Sequence, residues 1–283
     1  MSTRLRRWPA ARLAAAGGGL LLLAWTLIPV YNMLLIALSD DGDEFTGAIW
    51  PDEMNLDSFR LIWTQGHWYL EHFWRQFGNS LLVGVATMLL TVLIGSLASF
   101  AMGRMRSRRA WVVGPVALLT YAVPASFLVI PFTRVAHVYG IVDSPWAVIA
   151  AQTTFATPFA ILVFHQYGKL IPMELDDAAR VDGATPWQMY WRVYLPLLMP
   201  AVIPNSVFAL LVAWNDYLFQ FLLLSSPRAM TVIAAIDQFF DSDEAPWNVM
   251  MAMAFVYTLP PLALYVALQQ RIVAGLSAGV VKG

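Results

Sequence analysis

The sequence predicts an all-α fold, a polytopic bundle of six membrane-spanning helices. Of its 283 residues 59% are hydrophobic and only 12% are charged, whereas soluble domains carry about a quarter charged residues. Six apolar segments reach the roughly 20 residues that a helix needs to cross a hydrocarbon core of about 30 Å. None alternates polar with apolar as barrel strands do, and a backbone in lipid must satisfy its own hydrogen bonds, so the segments read as helices. The net charge of -1 gives no electrostatic support for a nucleic-acid partner. The absence of cysteine excludes disulfides and thiolate chemistry. His67, His72, His137 and His165 have no zinc-type spacing, and no metal site or catalytic residue is expected.

Span one covers 13–38 and follows Arg4, Arg6, Arg7 and Arg12. The arginines, and Ala37-Leu38-Ser39, look like parts of a secretory signal. The apolar run from Leu13 to Leu38 is nevertheless much longer than the about 7 to 15 residues of a signal core, so an uncleaved helix is expected. The loop 39–76 is the longest connection. Its aromatic part, with Trp63, Trp68, Tyr69, Phe73 and Trp74, suits one or two short helices at the membrane interface. Spans two to six follow at 78–102, 111–136, 145–167, 197–224 and 247–270. Arg134, His137 and Asp143 end span three, where snorkelling accounts for the arginine. Pro196, Pro200 and Pro204 are expected to bend the start of span five.

Basic residues set the orientation. Arg4, Arg6, Arg7, Arg12, Arg104, Arg106, Arg108, Arg109, Lys169, Arg180, Arg192, Arg271 and Lys282 fall on one side, against Arg60, Arg75, Arg134 and Arg228 on the other. The positive-inside rule then places both termini, and the connection between spans four and five, in the cytoplasm.

That connection, 169–196, is the most informative part of the chain. Five charged residues between Glu174 and Asp182 would each cost about 2.5–3.5 kcal/mol at a bilayer centre, so the segment lies outside the lipid core. Glu174, Asp176 and Asp177 suit the first turn of a helix, where carboxylates complement the positive end of the dipole. Leu175, Ala178, Ala179 and Asp182 recur at helical spacing, and Gly183 supplies the stop. A second helix begins at Thr185-Pro186 with Gln188 completing a capping box. It carries Trp187, Met189, Tyr190 and Trp191, more apolar bulk than a solvated loop tolerates, so something covers it. Its own bundle or the membrane surface is one such cover; a partner protein is the other.

Asp177-Ala178-Ala179, three residues, Gly183, nine residues, Val193, one residue and Leu195-Pro196 resemble the EAA motif of ABC importer permeases. Asp177 stands where glutamate is usual and Val193 where isoleucine is usual. Ile171-Pro172, Asp182-Gly183-Ala184, and Leu195-Pro196-Leu197 with Pro200 are similar to the carbohydrate subfamily, the maltose-type or MalG-like permeases. Asn79-Ser80-Leu81, Ala213-Trp214-Asn215-Asp216, and the tail with Gly275-Leu276, Ala278-Gly279 and Lys282-Gly283 extend the likeness from about residue 79 to the end. The resemblance implies a type I ABC importer permease fold, one transmembrane domain over 1–283 with a cytoplasmic tail at 272–283, in the bacterial inner membrane.

It further implies coupling to a cytoplasmic ATPase through Glu174, Asp177, Ala178, Ala179, Asp182, Gly183, Leu195 and Pro196. Gly275, Gly279 and Lys282 would lie in a tail near the same partner. The expected assembly has a second, different permease, two ATPase copies and an external substrate-binding protein. ATP and Mg belong to the ATPases, because this chain has no GxxxxGK[ST] loop, and it binds no cofactor itself. Costly intramembrane polar groups mark Trp214, Asn215, Asp216 and Tyr217 as a candidate path for a sugar, polyol or related solute, helix–helix glue being the other reading. An importer for an amino acid or oxyanion is the alternative. A membrane enzyme would need convergent ionisable groups, and His165 and Arg134 fall near opposite faces.

Overall fold

The computed structural model describes residues 9–40, 47, 49–51, 53–104, 110–242 and 245–278. In chain order its helices are α1 (Pro9–Ala37), α2 (Asp57–Thr64), α3 (Phe73–Arg104), α4 (Ala110–Leu118), α5 (Ala125–Val138), α6 (Pro145–Gly168), α7 (Glu174–Val181), α8 (Pro186–Met189), α9 (Leu195–Asn215), α10 (Leu218–Leu223), α11 (Val232–Ile236) and α12 (Trp247–Ala278). No strand occurs among the described residues. Among the described residues five stretches are long and apolar enough to cross a membrane, and a bent helix pair makes a sixth when counted as one broken span. The all-α, multi-spanning reading of the sequence therefore holds.

Two spans differ from expectation. Span three is not one helix over 111–136: it breaks between Ala122 and Ala125, and its two arms meet at 105°. Pro124 explains the break, because proline lacks an N–H and forces the residue before it out of the α region; Val123 is extended, at φ -104° and ψ 124°. Span five does not run on to 224 but ends at Asn215, where Asp216 turns extended. The Asp216 carboxylate accepts the backbone N–H of Phe219 at 3.1 Å and of Gln220 at 3.4 Å, so it starts α10 rather than continuing α9.

The described residues pack as two compact units, 9–71 with 238–258, and 72–237 with 259–278. In the first, the short helices expected in the long loop are present as α2 and a 3₁₀ turn at Trp68–Leu70. Tyr69 stacks on Phe239 with centroids 4.2 Å apart, and Phe59 meets Phe255 edge-on at 6.1 Å. Most of α1 exposes apolar side chains, including Trp25 and Leu20, as a helix facing lipid tails would.

The second unit is built on α3, α6 and α9. Lipid tails are as apolar as leucine, so helices associate there through close packing and polar contacts rather than hydrophobic burial. Small residues allow that approach: a Cβ on Gly95 of α3 would lie 2.9 Å from the Ala160 Cβ of α6 and 3.3 Å from the Phe164 ring. Hydroxyls add to it, with Ser96 bonded to Tyr190 and Ser99 to Tyr194, each at 2.7 Å. At the far end of α3, the Asn79 amide donates to the carbonyls of Arg228, Ala229 and Met230 at 2.9–3.1 Å. Ser80 Oγ accepts the Val232 N–H at 3.0 Å. Asn79-Ser80 thus holds the loop after α10 in place. Asp143 holds it from the other side, accepting the N–H groups of Ser225 and Ser226 at 2.8 and 2.9 Å.

Two outcomes are expected. Gly95→Val should force α3 and α6 apart and cost about 1–3 kcal/mol, read as a lower thermal midpoint of the purified protein. Burial works to raise the pKa of Asp143, but the amides of Ser226 and Ser225 and the Ser226 hydroxyl outweigh it and hold the carboxyl below its usual value. A depressed folded-state value means that its contribution is complete above about pH 4 and fades as pH falls through the folded value. Proteolysis of the loop 224–231 should accelerate in that acid range, and Asp143→Asn should show the acceleration at neutral pH.

Candidate functional site: the capped helix pair between α6 and α9

α7 begins with three acids, and they do not share one role. Asp176 turns inward, and its carboxylate lies 2.7 Å from the Arg104 guanidinium, with the two side chains 1% and 2% exposed. Either charge alone, buried to this degree, would cost several kcal/mol, so each requires the other. Arg104 also donates to the carbonyls of Ile171 at 2.8 Å and Gly168 at 3.2 Å, and sits 5.6 Å from the centre of the Tyr194 ring. Its own carbonyl accepts from Arg180 at 3.4 Å. The last residue of α3 thereby ties together the end of α6, the linker, α7 and the turn before α9. Glycine is needed at 168, since a Cβ there would collide with the Tyr194 hydroxyl.

The end of α7 forms a double hydrogen-bonded stop. The Ala184 N–H reaches the Ala179 carbonyl at 2.9 Å and the Gly183 N–H reaches Arg180 at 3.0 Å, the pattern of a Schellman motif. It requires Gly183 in the left-handed region, at φ +78°. The next helix is fixed at once: Thr185 Oγ1 accepts the Gln188 N–H at 3.3 Å, and Gln188 Oε1 accepts the Thr185 N–H at 2.8 Å. The expected capping box is therefore present. The second helix is not a free-standing stub. α8 passes through a π turn at Tyr190–Tyr194 straight into α9, giving one apolar stretch from Pro186 to Asn215. The wider turn lies just ahead of Pro196, whose ring would press on the fourth carbonyl back in a regular helix.

The cover expected over the second helix is split. Met189, Tyr190 and Tyr194 are buried against Phe100, Phe164 and Ile171 of the same unit. Trp187 and Trp191 remain 58% and 45% exposed, and on α7 Val181 is 87% exposed. Glu174, Ala178, Asp182 and Gly183 are also exposed, Ala179 and Leu195 are half-buried in the core, and Pro196 is exposed at the start of α9. Asp177 is paired at 2.9 Å with Arg180 and stays open to solvent. All eight residues named from the sequence thus lie on or directly beside one structural unit. Arg104 and Asp176, which brace it, were not among them. Arg104 reads in the sequence as one more basic residue after an apolar run, and Asp176 as one more first-turn acid.

Trp214, Asn215, Asp216 and Tyr217 occupy the break between α9 and α10. Trp214 is buried, packed edge-on against Phe77 at 6.5 Å and close to Gly84. The Asn215 amide donates to the Leu211 carbonyl at 2.9 Å and is exposed, and the exposed Tyr217 hydroxyl donates to Asp237 at 2.6 Å. Gln220 closes the break by donating to the Ala213 carbonyl at 2.8 Å. Gly275 falls in the last turns of α12, while Gly279 and Lys282 lie outside the described residues. Among the described residues no cluster of histidine and acid side chains could hold a metal.

Residues 91–277 match the family described as binding-protein-dependent transport system inner membrane component. The chain belongs to this family. It is a permease, the transport subunit of an ABC importer, and ATP hydrolysis belongs to a separate subunit. The permease is 31% identical to the trehalose transport system permease protein SugB of Mycobacterium tuberculosis, over 93% of this chain and 95% of that protein. It is 30% identical to the diacetylchitobiose uptake system permease protein DasC of Streptomyces coelicolor, over 91% and 92%. The crystal structure of a bacterial ABC transporter involved in the import of the acidic polysaccharide alginate superposes with a TM-score of 0.76, at 19% identity, covering 93% of this permease and 98% of that chain. This last likeness establishes the fold.

Asp176→Ala should destabilise the permease by about 3–5 kcal/mol, because Arg104 is left charged and buried without a counter-ion. Gly183→Ala should cost about 1 kcal/mol through its left-handed backbone, and Gly183→Asn less. Thermal unfolding of the three purified variants checks the order.

Proposed function

We propose that this permease pairs with a second, different permease to carry a carbohydrate or related polyol inward, and that residues 169–196 are the handle gripped by a cytoplasmic ATPase. One observation carries the reading: α7 and α8 are capped at both ends of Gly183 and braced by a buried ion pair, yet expose Val181, Trp187 and Trp191. A rigid, partly apolar surface formed by charged α7 and the first turns of the stretch that continues as α9 suits a protein cover. Glu174, Asp177 and Asp182 supply charged contacts around it, and Ala178 and Gly183 permit close approach. Closure of two ATPase copies on ATP and Mg would turn this handle, and the bundle would alternate between inward-facing and outward-facing states.

The distribution of lysine and arginine supports cytoplasmic termini, with an external binding protein delivering solute on the other side. The tail around Gly275, Gly279 and Lys282 would then lie near the ATPases. The named substrates of the two relatives, trehalose and diacetylchitobiose, support a saccharide rather than an amino acid or oxyanion. Asn215 and Tyr217, exposed beside the break after α9, offer the amide and phenol groups that hydroxylated solutes bond, while Trp214 and Asp216 shape the break.

In the assembled transporter, binding protein loaded with the right saccharide should raise ATP hydrolysis, and Gly183→Trp should abolish uptake while the permease stays in the membrane. Among the described residues, its two chain neighbours apart, nothing lies within 4 Å of a Cβ at Gly183, so a large side chain there would extend into the space proposed for the partner, and Gly183→Asn serves as the control for backbone strain. Normal uptake by Gly183→Trp, or stimulation confined to amino-acid or oxyanion ligands, would overturn the reading.

A further inference from the structure

We propose that Arg104 is the positioning residue that delivers movement of the coupling segment to α3. This rests on the proposed docking of an ATPase at residues 169–196. The segment is joined directly along the chain to α6 and α9, but α3 is separated from it in the chain by α4, α5 and α6. What joins them is side-chain chemistry concentrated on the last residue of α3. The Arg104 guanidinium meets Asp176 of α7 at 2.7 Å and the carbonyls of Ile171 and Gly168 at 2.8 and 3.2 Å. Its backbone carbonyl takes the returning bond from Arg180 of the same α7.

Two features make this link stiff rather than incidental. It is buried, with both charged side chains no more than 2% exposed, so separation would leave two uncompensated charges. It is also many-toothed, because the planar guanidinium donates to two carbonyls in fixed directions while its charge pairs with a carboxylate, a combination that a lysine ammonium reproduces only in charge. The hydroxyl pairs Ser96–Tyr190 and Ser99–Tyr194 bind α3 to the turn before α9 but do not reach α7. When a partner tilts α7, α3 therefore moves with it as one body, and α3 is in turn packed along α6 and α9.

The test uses the complete transporter in lipid nanodiscs. Spin labels on exposed positions of α3 and α7 should hold a constant separation through the ATP cycle in the native permease. Arg104→Met, of similar length without the charge, should release it and lower solute moved per ATP hydrolysed by about tenfold, the scale on which single residues alter coupling between sites. Arg104→Lys should restore part of the stoichiometry. In each variant, crosslinking from Ala178→Cys to the ATPase should persist. A changing α3–α7 separation in the native protein during turnover overturns the proposal even if the variants fail to fold. So does an Arg104→Met permease with native stoichiometry. Failure of the native Ala178→Cys crosslink would instead overturn the docking reading.

Discussion

A buried ion pair at one end of α3 governs the packing of the unit built on α3, α6 and α9. Arg104 and Asp176 each need the other because both are buried, and satisfying that need brings five chain segments to one point. Such a pair contributes little net stability compared with an apolar replacement, but removing one partner is severe. Its value is geometric: α7 can occupy one place only, and the exposed face carrying Val181 and Trp187 follows from that place.

The other end of α3 uses neutral groups for a comparable purpose. One asparagine amide spans three consecutive carbonyls of the loop after α10, and Asp143 collects two amides of the same loop. Between the two ends, glycines and serines rather than bulky side chains bring α3 against α6 and α9. α3 is thus the central post of its unit, fastened at each end by side-chain bonds to backbone and along its length by close contact.

Much of this was legible in the sequence because it depends on local chemistry. Span lengths follow from bilayer thickness, and the stop at Gly183 and the start at Thr185-Pro186 follow from the needs of orphan backbone groups. Hydropathy was a poorer guide within spans, since it weighs composition and ignores backbone. Val123-Pro124 broke span three although its surroundings are apolar, and the Asp216 carboxylate opened a new helix where the apolar run simply continues. The inward turn of Asp176 was not legible at all. Three acids in one turn look alike in sequence, and only the position of Arg104, 72 residues earlier in the chain, distinguishes them.

The π turn at Tyr190–Tyr194 has a further consequence. It inserts one residue's worth of winding between α8 and α9, and each residue of an α-helix corresponds to about 100° of rotation. Without that extra winding α8 would be turned about the axis of α9, and Met189, which now lies in the core, would be carried away from it along with the outward bearing of Trp187. The wide turn is thus what lets one continuous rod keep an inner face in the core and an outer aromatic face on α8.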